Sequence, residues 1–207
     1  MRPNGRCMRI VGGSHRGRRL AVPPGEVVRP TSDRAREALF NILSHGAFAA
    51  AGIPFADRAV LDAFAGTGAL GLEALSRGAA EAVFIENDRE ALLALRRNIA
   101  DLGETRRTRI IIGDATRPPP ALVACAIAFL DPPYASGLAA PALAALAAAH
   151  WLTQDALIVV EIAAREPFIS PEGFAAIDER VYGAARLVFL RREDDRSADP
   201  PPKPGSL

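Results

Sequence analysis

The stretch Leu61-Asp62-Ala63-Phe64-Ala65-Gly66-Thr67-Gly68-Ala69-Leu70-Gly71 decides the fold. It reads as the end of an apolar strand, a glycine-rich turn and the start of a helix. The glycines permit a tight turn and let backbone N–H groups approach a ligand closely. Open α/β sheets bind ligands at the carboxyl ends of their strands, which is where such a turn lies. The spacing Gly66, Gly68, Gly71 fits an adenosine-type cofactor. By itself it does not choose between NAD and S-adenosylmethionine. Asp62 leans towards the second, because a carboxylate there binds an amino acid's ammonium group and repels a pyrophosphate. Glu86, at the end of the next predicted strand, is placed to accept hydrogen bonds from both ribose hydroxyls.

Working outward, the pattern repeats. Strands are predicted over 59–64, 82–85, 109–112, 124–130 and 157–162, and helices over 68–77, 88–102 and about 138–150. Asp88 caps the second of these helices and Gly103 stops it. Alternation of this kind, with near-continuous apolar strands, implies a parallel sheet covered on both faces. Residues 175–181 and 185–190 form two further strands around Gly183 with no helix between them, so an antiparallel hairpin closes the sheet edge. Upstream, residues 8–13 and 18–22 read as two short strands with glycines between them. A helix follows from near Asp33, capped by Thr31 or Ser32. The expected organisation is an N-terminal basic extension (1–54), a main domain (55–191) and a charged, Pro-rich disordered tail (192–207).

Asp131-Pro132-Pro133-Tyr134 follows the fourth strand, at the same carboxyl edge as the glycine turn. Two prolines stiffen the loop and remove two N–H donors. The Asp131 carboxylate and free carbonyls remain as acceptors, and Tyr134 adds a ring for stacking. This set suits a planar group carrying NH₂. An aromatic exocyclic amine is a poor nucleophile, and acceptors on its hydrogens localise the lone pair on nitrogen as it attacks. Such an attack on a sulfonium methyl is governed by positioning and charge stabilisation, so no histidine base is required. His15, His45 and His150 show no partner pattern and are expected to be structural or solvated.

The composition bounds the remainder. With 207 residues, 49% of them hydrophobic, the chain can bury a core, and wholesale disorder is not expected. No apolar run reaches a membrane span, and the Arg-rich start lacks the apolar region of a signal peptide. Cys7 and Cys125 fit free thiols in a reducing cytoplasm, and no metal site is expected. The net charge of +1 conceals a cluster: Arg2, Arg6, Arg9, Arg16, Arg18, Arg19 and Arg29 precede residue 30 with Glu26 as the single acid, while Lys203 is the only lysine in the chain. That concentration creates a positive field that attracts phosphates.

Together the two motifs look like those of class I methyltransferases that modify amino groups of bases. More narrowly, the chain resembles the RsmD family, bacterial methyltransferases of the guanine N2 amine in small-subunit (16S) ribosomal RNA. The resemblance spans roughly Met8 to Arg191. It is carried by Met8-Arg9-Ile10-Val11-Gly12-Gly13, Arg16-Gly17-Arg18, Arg29-Pro30-Thr31-Ser32-Asp33-Arg34, Arg36-Glu37, Leu39-Phe40-Asn41, the run Asp62 to Arg77, and Asp131 to Tyr134.

It implies a Rossmann-like seven-stranded sheet with a small N-terminal hairpin and helix that help engage RNA. It implies S-adenosylmethionine bound around Asp62, Ala63, Gly66, Gly68 and Glu86, with Asp114 near the adenine amine. Asp131, Pro132, Pro133 and Tyr134 would hold the target guanine. The family motif often ends in Phe, and Tyr134 keeps the stacking face. Unstacking a base from folded RNA costs a few kcal/mol, which phosphate contacts from Arg9, Arg16, Arg18 and Arg19 would offset. Of Arg34 and Arg36, one is expected at phosphate and the other at the surface. Glu73 is expected to support the cofactor turn.

The resemblance further implies action on 16S ribosomal RNA within a small ribosomal subunit or an assembly intermediate; a cytoplasmic protein is expected from its free thiols, and a monomer because nothing in the sequence suggests an obligate dimer. An adenine-N6 methyltransferase of DNA or other RNA would share both motifs. Glutamine-amide methyltransferases usually carry Asn in place of Asp131, an NAD oxidoreductase would need a hydride-transfer site, and a non-catalytic RNA binder would not need both motifs intact.

Overall fold

The computed structural model describes residues 8–23, 30–44 and 55–193. Seven strands form one sheet: β1 (Ala59–Ala63), β2 (Glu81–Glu86), β3 (Thr108–Ile112), β4 (Cys125–Leu130), β5 (Leu152–Ala163), β6 (Phe174–Tyr182) and β7 (Ala185–Arg192), in the spatial order β3-β2-β1-β4-β5-β7-β6. The first five run parallel, and β7 lies antiparallel between β5 and β6. The expected closing hairpin is therefore present, with its second strand inserted next to β5. Cys7, His45 and residues 194–207, most of the expected tail, lie outside the described residues.

Strand residues alternate between two apolar layers, the pattern of a sheet covered on both faces. On one face Val60, Phe84, Ile127, Phe129 and Val159 pack against α1 (Pro30–Ser44), α2 (Ala69–Ser76) and α3 (Arg89–Leu102). On the other, Leu61, Val83, Ala128, Leu130 and Ile158 meet α4 (Ala139–Ala148) and the fully buried Trp151. Asp88 caps α3 by accepting from Ala91 N at 2.8 Å, and Gly103 ends it in the left-handed region at φ 74°.

Three local expectations change. Helix α1 begins at Pro30, so Thr31 and Ser32 fall inside its first turn rather than ahead of it. Proline suits that first position, where no helical N–H is needed. β5 starts at Leu152, five residues early, because Leu152 pairs with Cys125 across a register shift that carries the polar run 153–155. Residues 8–13 and 18–22 do meet in antiparallel sense, but as a single bridge, Arg9 to Arg19, instead of two full strands. Past Ile10 the chain turns away to dock on the helices, and Ile10 and Leu20 join the same apolar layer as α1 to α3.

Candidate active site

Strand order reverses at β1, whose neighbours are β2 on one side and β4 on the other. A crevice opens at such a switch point, outside the carboxyl ends of the strands. Here the last residues of β1 and β4 are partners, Ala63 with Leu130. The glycine turn and the Asp131 loop thus leave adjacent strands, roughly 4.8 Å apart, on the same rim.

The glycine turn is held from three directions. Phe64, at φ 65°, is a non-glycine residue in the left-handed region as the chain leaves β1. Conformations of this kind cost free energy and concentrate at functional sites. Ala65 N donates to Ile85 O at 3.0 Å, and Gly66 N donates to Glu86 Oε2 at 2.6 Å. A Cβ on Gly71 would lie 2.4 Å from the Phe84 ring, so only glycine lets α2 sit this close to β2. Asp62 faces α2, 1% exposed, and accepts from Gly71 N at 2.8 Å. Burial pushes its carboxyl up to about 8; the bond from Gly71 opposes this and the Glu86 charge adds to it.

The other expected cofactor residues follow the rim. Ala63 is fully buried with its side chain in the α4-side layer, which leaves its backbone as the part facing the crevice. Glu86 commits both oxygens to backbone amides: Oε2 to Gly66 N, and Oε1 to Asn87 N and Asp88 N, both at 2.8 Å. Asp114 Oδ1 accepts from the Thr116 amide and hydroxyl, each at 2.8 Å, and these bonds hold its carboxyl below the usual range.

In the second loop Asp131 is exposed, Pro132 is buried, Pro133 is exposed and Tyr134 is half-buried. The Tyr134 hydroxyl donates to Glu161 Oε1 at 3.1 Å. Ala135 adopts φ 57°, and its amide donates to Glu166 Oε2 at 2.9 Å. Neither glutamate was legible in the sequence, since each reaches the loop from about thirty positions downstream (|i−j| of 27 and 31).

The base of the basic arm reaches the glycine turn, where the Thr67 hydroxyl donates to Met8 Sδ at 3.2 Å, but its tip lies elsewhere. Arg9, Arg16, Arg18 and Arg19 are all exposed. The turn that carries Arg16 and Arg18, however, docks on the C-terminal ends of α2 and α3, which lie at the opposite rim from the two motifs. Ser14 N donates to Ser76 O at 2.7 Å, His15 N to Ser76 Oγ at 2.9 Å, and the Arg18 guanidinium to Asp101 O. His15 is structural, as expected, paired at 2.5 Å with the buried Glu104, which Arg107 also grips. Arg36 is buried and donates to Arg9 O at 2.8 Å, so it supports the arm. Glu73 does not support the glycine turn. It is fully buried, accepting from Val11 N and Arg77 Nε, both at 2.7 Å, and so anchors the arm as well. Asn98 joins arm to turn: it accepts from Ala21 N and donates to Ala21 O and Thr67 O. A depression of about 430 Å³ between residues 116–120 and the end of α4 touches none of the motif residues.

With this geometry in place, the likeness to known proteins becomes specific. A family model described as "Conserved hypothetical protein 95" matches residues 8–191. The Haemophilus influenzae protein called Ribosomal RNA small subunit methyltransferase D is 36% identical over 181 residues, covering 85% of this chain and 89% of the relative. The chain belongs to the RsmD family. The RsmD protein of Escherichia coli K12 is 37% identical, with 93% of each chain covered. A solved Escherichia coli structure, described as a candidate methyltransferase, superposes with a TM-score of 0.75 at 38% identity, over 90% of this chain and 98% of that one. A family of methyltransferases on this fold implies S-adenosylmethionine as methyl donor. This RsmD chain offers a buried carboxyl, a glycine amide and two acidic strand ends along one rim, a donor and acceptor set that fits that group. Among the described residues, no helix is long and apolar enough to cross a membrane.

Proposed function

We propose that the chain transfers the methyl group of S-adenosylmethionine to the exocyclic N2 amine of a guanine in 16S ribosomal RNA, within a small ribosomal subunit or an assembly intermediate. The observation that carries this reading is the pairing of Ala63 with Leu130, which sets the glycine turn and the Asp131 loop side by side. The two RsmD relatives named above, whose names specify the small ribosomal subunit RNA, support the substrate class.

When bound, the cofactor supplies an electrophilic methyl on a sulfonium. Asp62 would take its ammonium group, Gly66 and Gly68 would border it through the backbone alongside Ala63, Glu86 would accept from the ribose, and Asp114 would meet the adenine amine. Glu86 must then redirect at least one oxygen from the amides it now holds. Asp131 and the carbonyl of Pro132 accept from the two hydrogens of the guanine amine, concentrating its lone pair on nitrogen, while the Pro133 carbonyl accepts from Ser136 N at 3.2 Å and closes the loop. The Tyr134 ring fixes the base plane by stacking. The surplus amine proton passes towards Asp131, whose exposure lets water carry it away. The arm's arginines bind RNA phosphates along the α2–α3 side, and the enzyme acts as a cytoplasmic monomer.

The test is methylation of small subunits isolated from cells lacking the modification, followed by digestion to nucleosides. N2-methylguanosine is expected, and Asp131→Ala abolishes it while cofactor binding persists. N6-methyladenosine in its place, or full activity in that variant, overturns the assignment.

A further inference from the structure

We propose that Glu161 and Glu166 are positioning residues for methyl transfer, which together fix the downstream end of the Asp131–Tyr134 loop; this rests on the function proposed above. The loop is stiff inside, because two consecutive prolines lock their φ angles, so it moves as a unit about its ends. Its upstream end is secured by the sheet, where Leu130 pairs with Ala63 on one side and Val160 on the other. Its downstream end has no strand partner.

Two carboxylates from β5 and the turn after it supply the missing hold. Glu161 lies one residue past Val160, beside the loop, and receives the Tyr134 hydroxyl at 3.1 Å. Glu166 Oε2 accepts from Ala135 N at 2.9 Å and from Ala163 N at 3.3 Å, tying the loop directly to the tip of β5. Ala135 sits at φ 57°, a conformation unfavourable for alanine, and a charge-assisted bond to its amide is what holds it there. The turn bearing Glu166 is itself fixed: Glu166 N donates to Ala163 O at 2.9 Å, and the Arg186 guanidinium donates to Glu166 O from β7. The pitch of the Tyr134 ring and the place of the Asp131 carboxylate are therefore set from β5, not by the loop alone.

The experiment compares variants in steady-state methylation of small subunits. Displacement of reacting groups by about 1 Å costs on the order of 100-fold in rate, so Glu166→Ala is expected to lower kcat by roughly 30- to 100-fold. The cofactor Kd and the KM for subunits should stay within about threefold of wild type, as expected for a group that acts on the transition state alone. Glu166→Gln keeps an acceptor oxygen and should recover most of the rate. Tyr134→Phe and Glu161→Ala both delete the Tyr134 hydroxyl bond, so their combined loss should be smaller than the product of the two single losses. Unchanged kcat in Glu166→Ala, or losses that multiply in the Tyr134→Phe/Glu161→Ala pair, overturns the proposal. The pair also decides the matter if Glu166→Ala fails to fold. Wild-type protein that makes no N2-methylguanosine would instead defeat the underlying function.

Discussion

With the cofactor's ammonium group at Asp62, as proposed above, the buried carboxyl would make cofactor binding a proton-release event. Asp62 is 1% exposed, has one amide bond from Gly71 and lies in the field of Glu86, and its carboxyl is raised to about 8. At pH 7, below that value, most molecules therefore hold the proton. An ammonium group entering the site needs the ionised form, so binding near pH 7 should release most of one proton, and affinity should rise with pH through the neutral range. The gain levels off near pH 8, where the Asp62 carboxyl is already largely ionised before the ligand arrives. The assay is titration calorimetry with S-adenosylhomocysteine at pH 7 in buffers of different ionisation enthalpy. 5′-Methylthioadenosine, which lacks the amino acid end, is the internal control and should release none. The same proton count for both ligands, or for wild type and Asp62→Asn, would refute the placement of the ammonium at Asp62.

Two further outcomes follow from the arm. Replacing Arg16 and Arg19 with Gln should reduce the slope of log affinity against log salt for subunit binding, measured by filter binding, by about 0.7–0.9 for each phosphate no longer neutralised; an unchanged slope removes the arm from the RNA interface. Asn98→Ala strips three hydrogen bonds from a side chain that is 1% exposed. It should cost ~3 kcal/mol and lower Tm by roughly 6–12 °C in calorimetry, and a destabilisation under about 1 kcal/mol would show that Asn98 is not the staple described.

The sheet was legible because its signals are local. Apolar strands of about six residues, a glycine turn, the Asp88 cap and the Gly103 stop each lie within a few positions of the element they define. The misplaced boundaries share a cause. The start of β5 contains Thr153, Gln154 and Asp155, which read as loop, and only the pairing of Leu152 with Cys125 makes it strand. The motif loops were legible for the same local reason, and what supports them was not. Glu161, Glu166 and Asn98 act across 27 to 77 positions, and nothing in their immediate neighbours marks them. Glu73 shows the limit from the other side: its place inside the motif run pointed to the cofactor turn, yet α2 directs its carboxylate to Val11 and Arg77.

The arm shows what charge alone leaves open. Clustered arginines announce phosphate affinity but not position, and position here is set by Ser76, Glu73 and Glu104. α3 has 14 residues and runs from the motif rim to the opposite one, so its length of ~21 Å separates the Arg18 anchor at Asp101 from the methyl-transfer edge. A substrate that engages both must therefore be long and ordered enough to lie along the α2–α3 side while presenting one base at the rim. Folded ribosomal RNA meets that condition and a free nucleotide does not. Under the proposed function the arm would act as a ruler for structured RNA, with the chemistry of base selection left to the Asp131 loop.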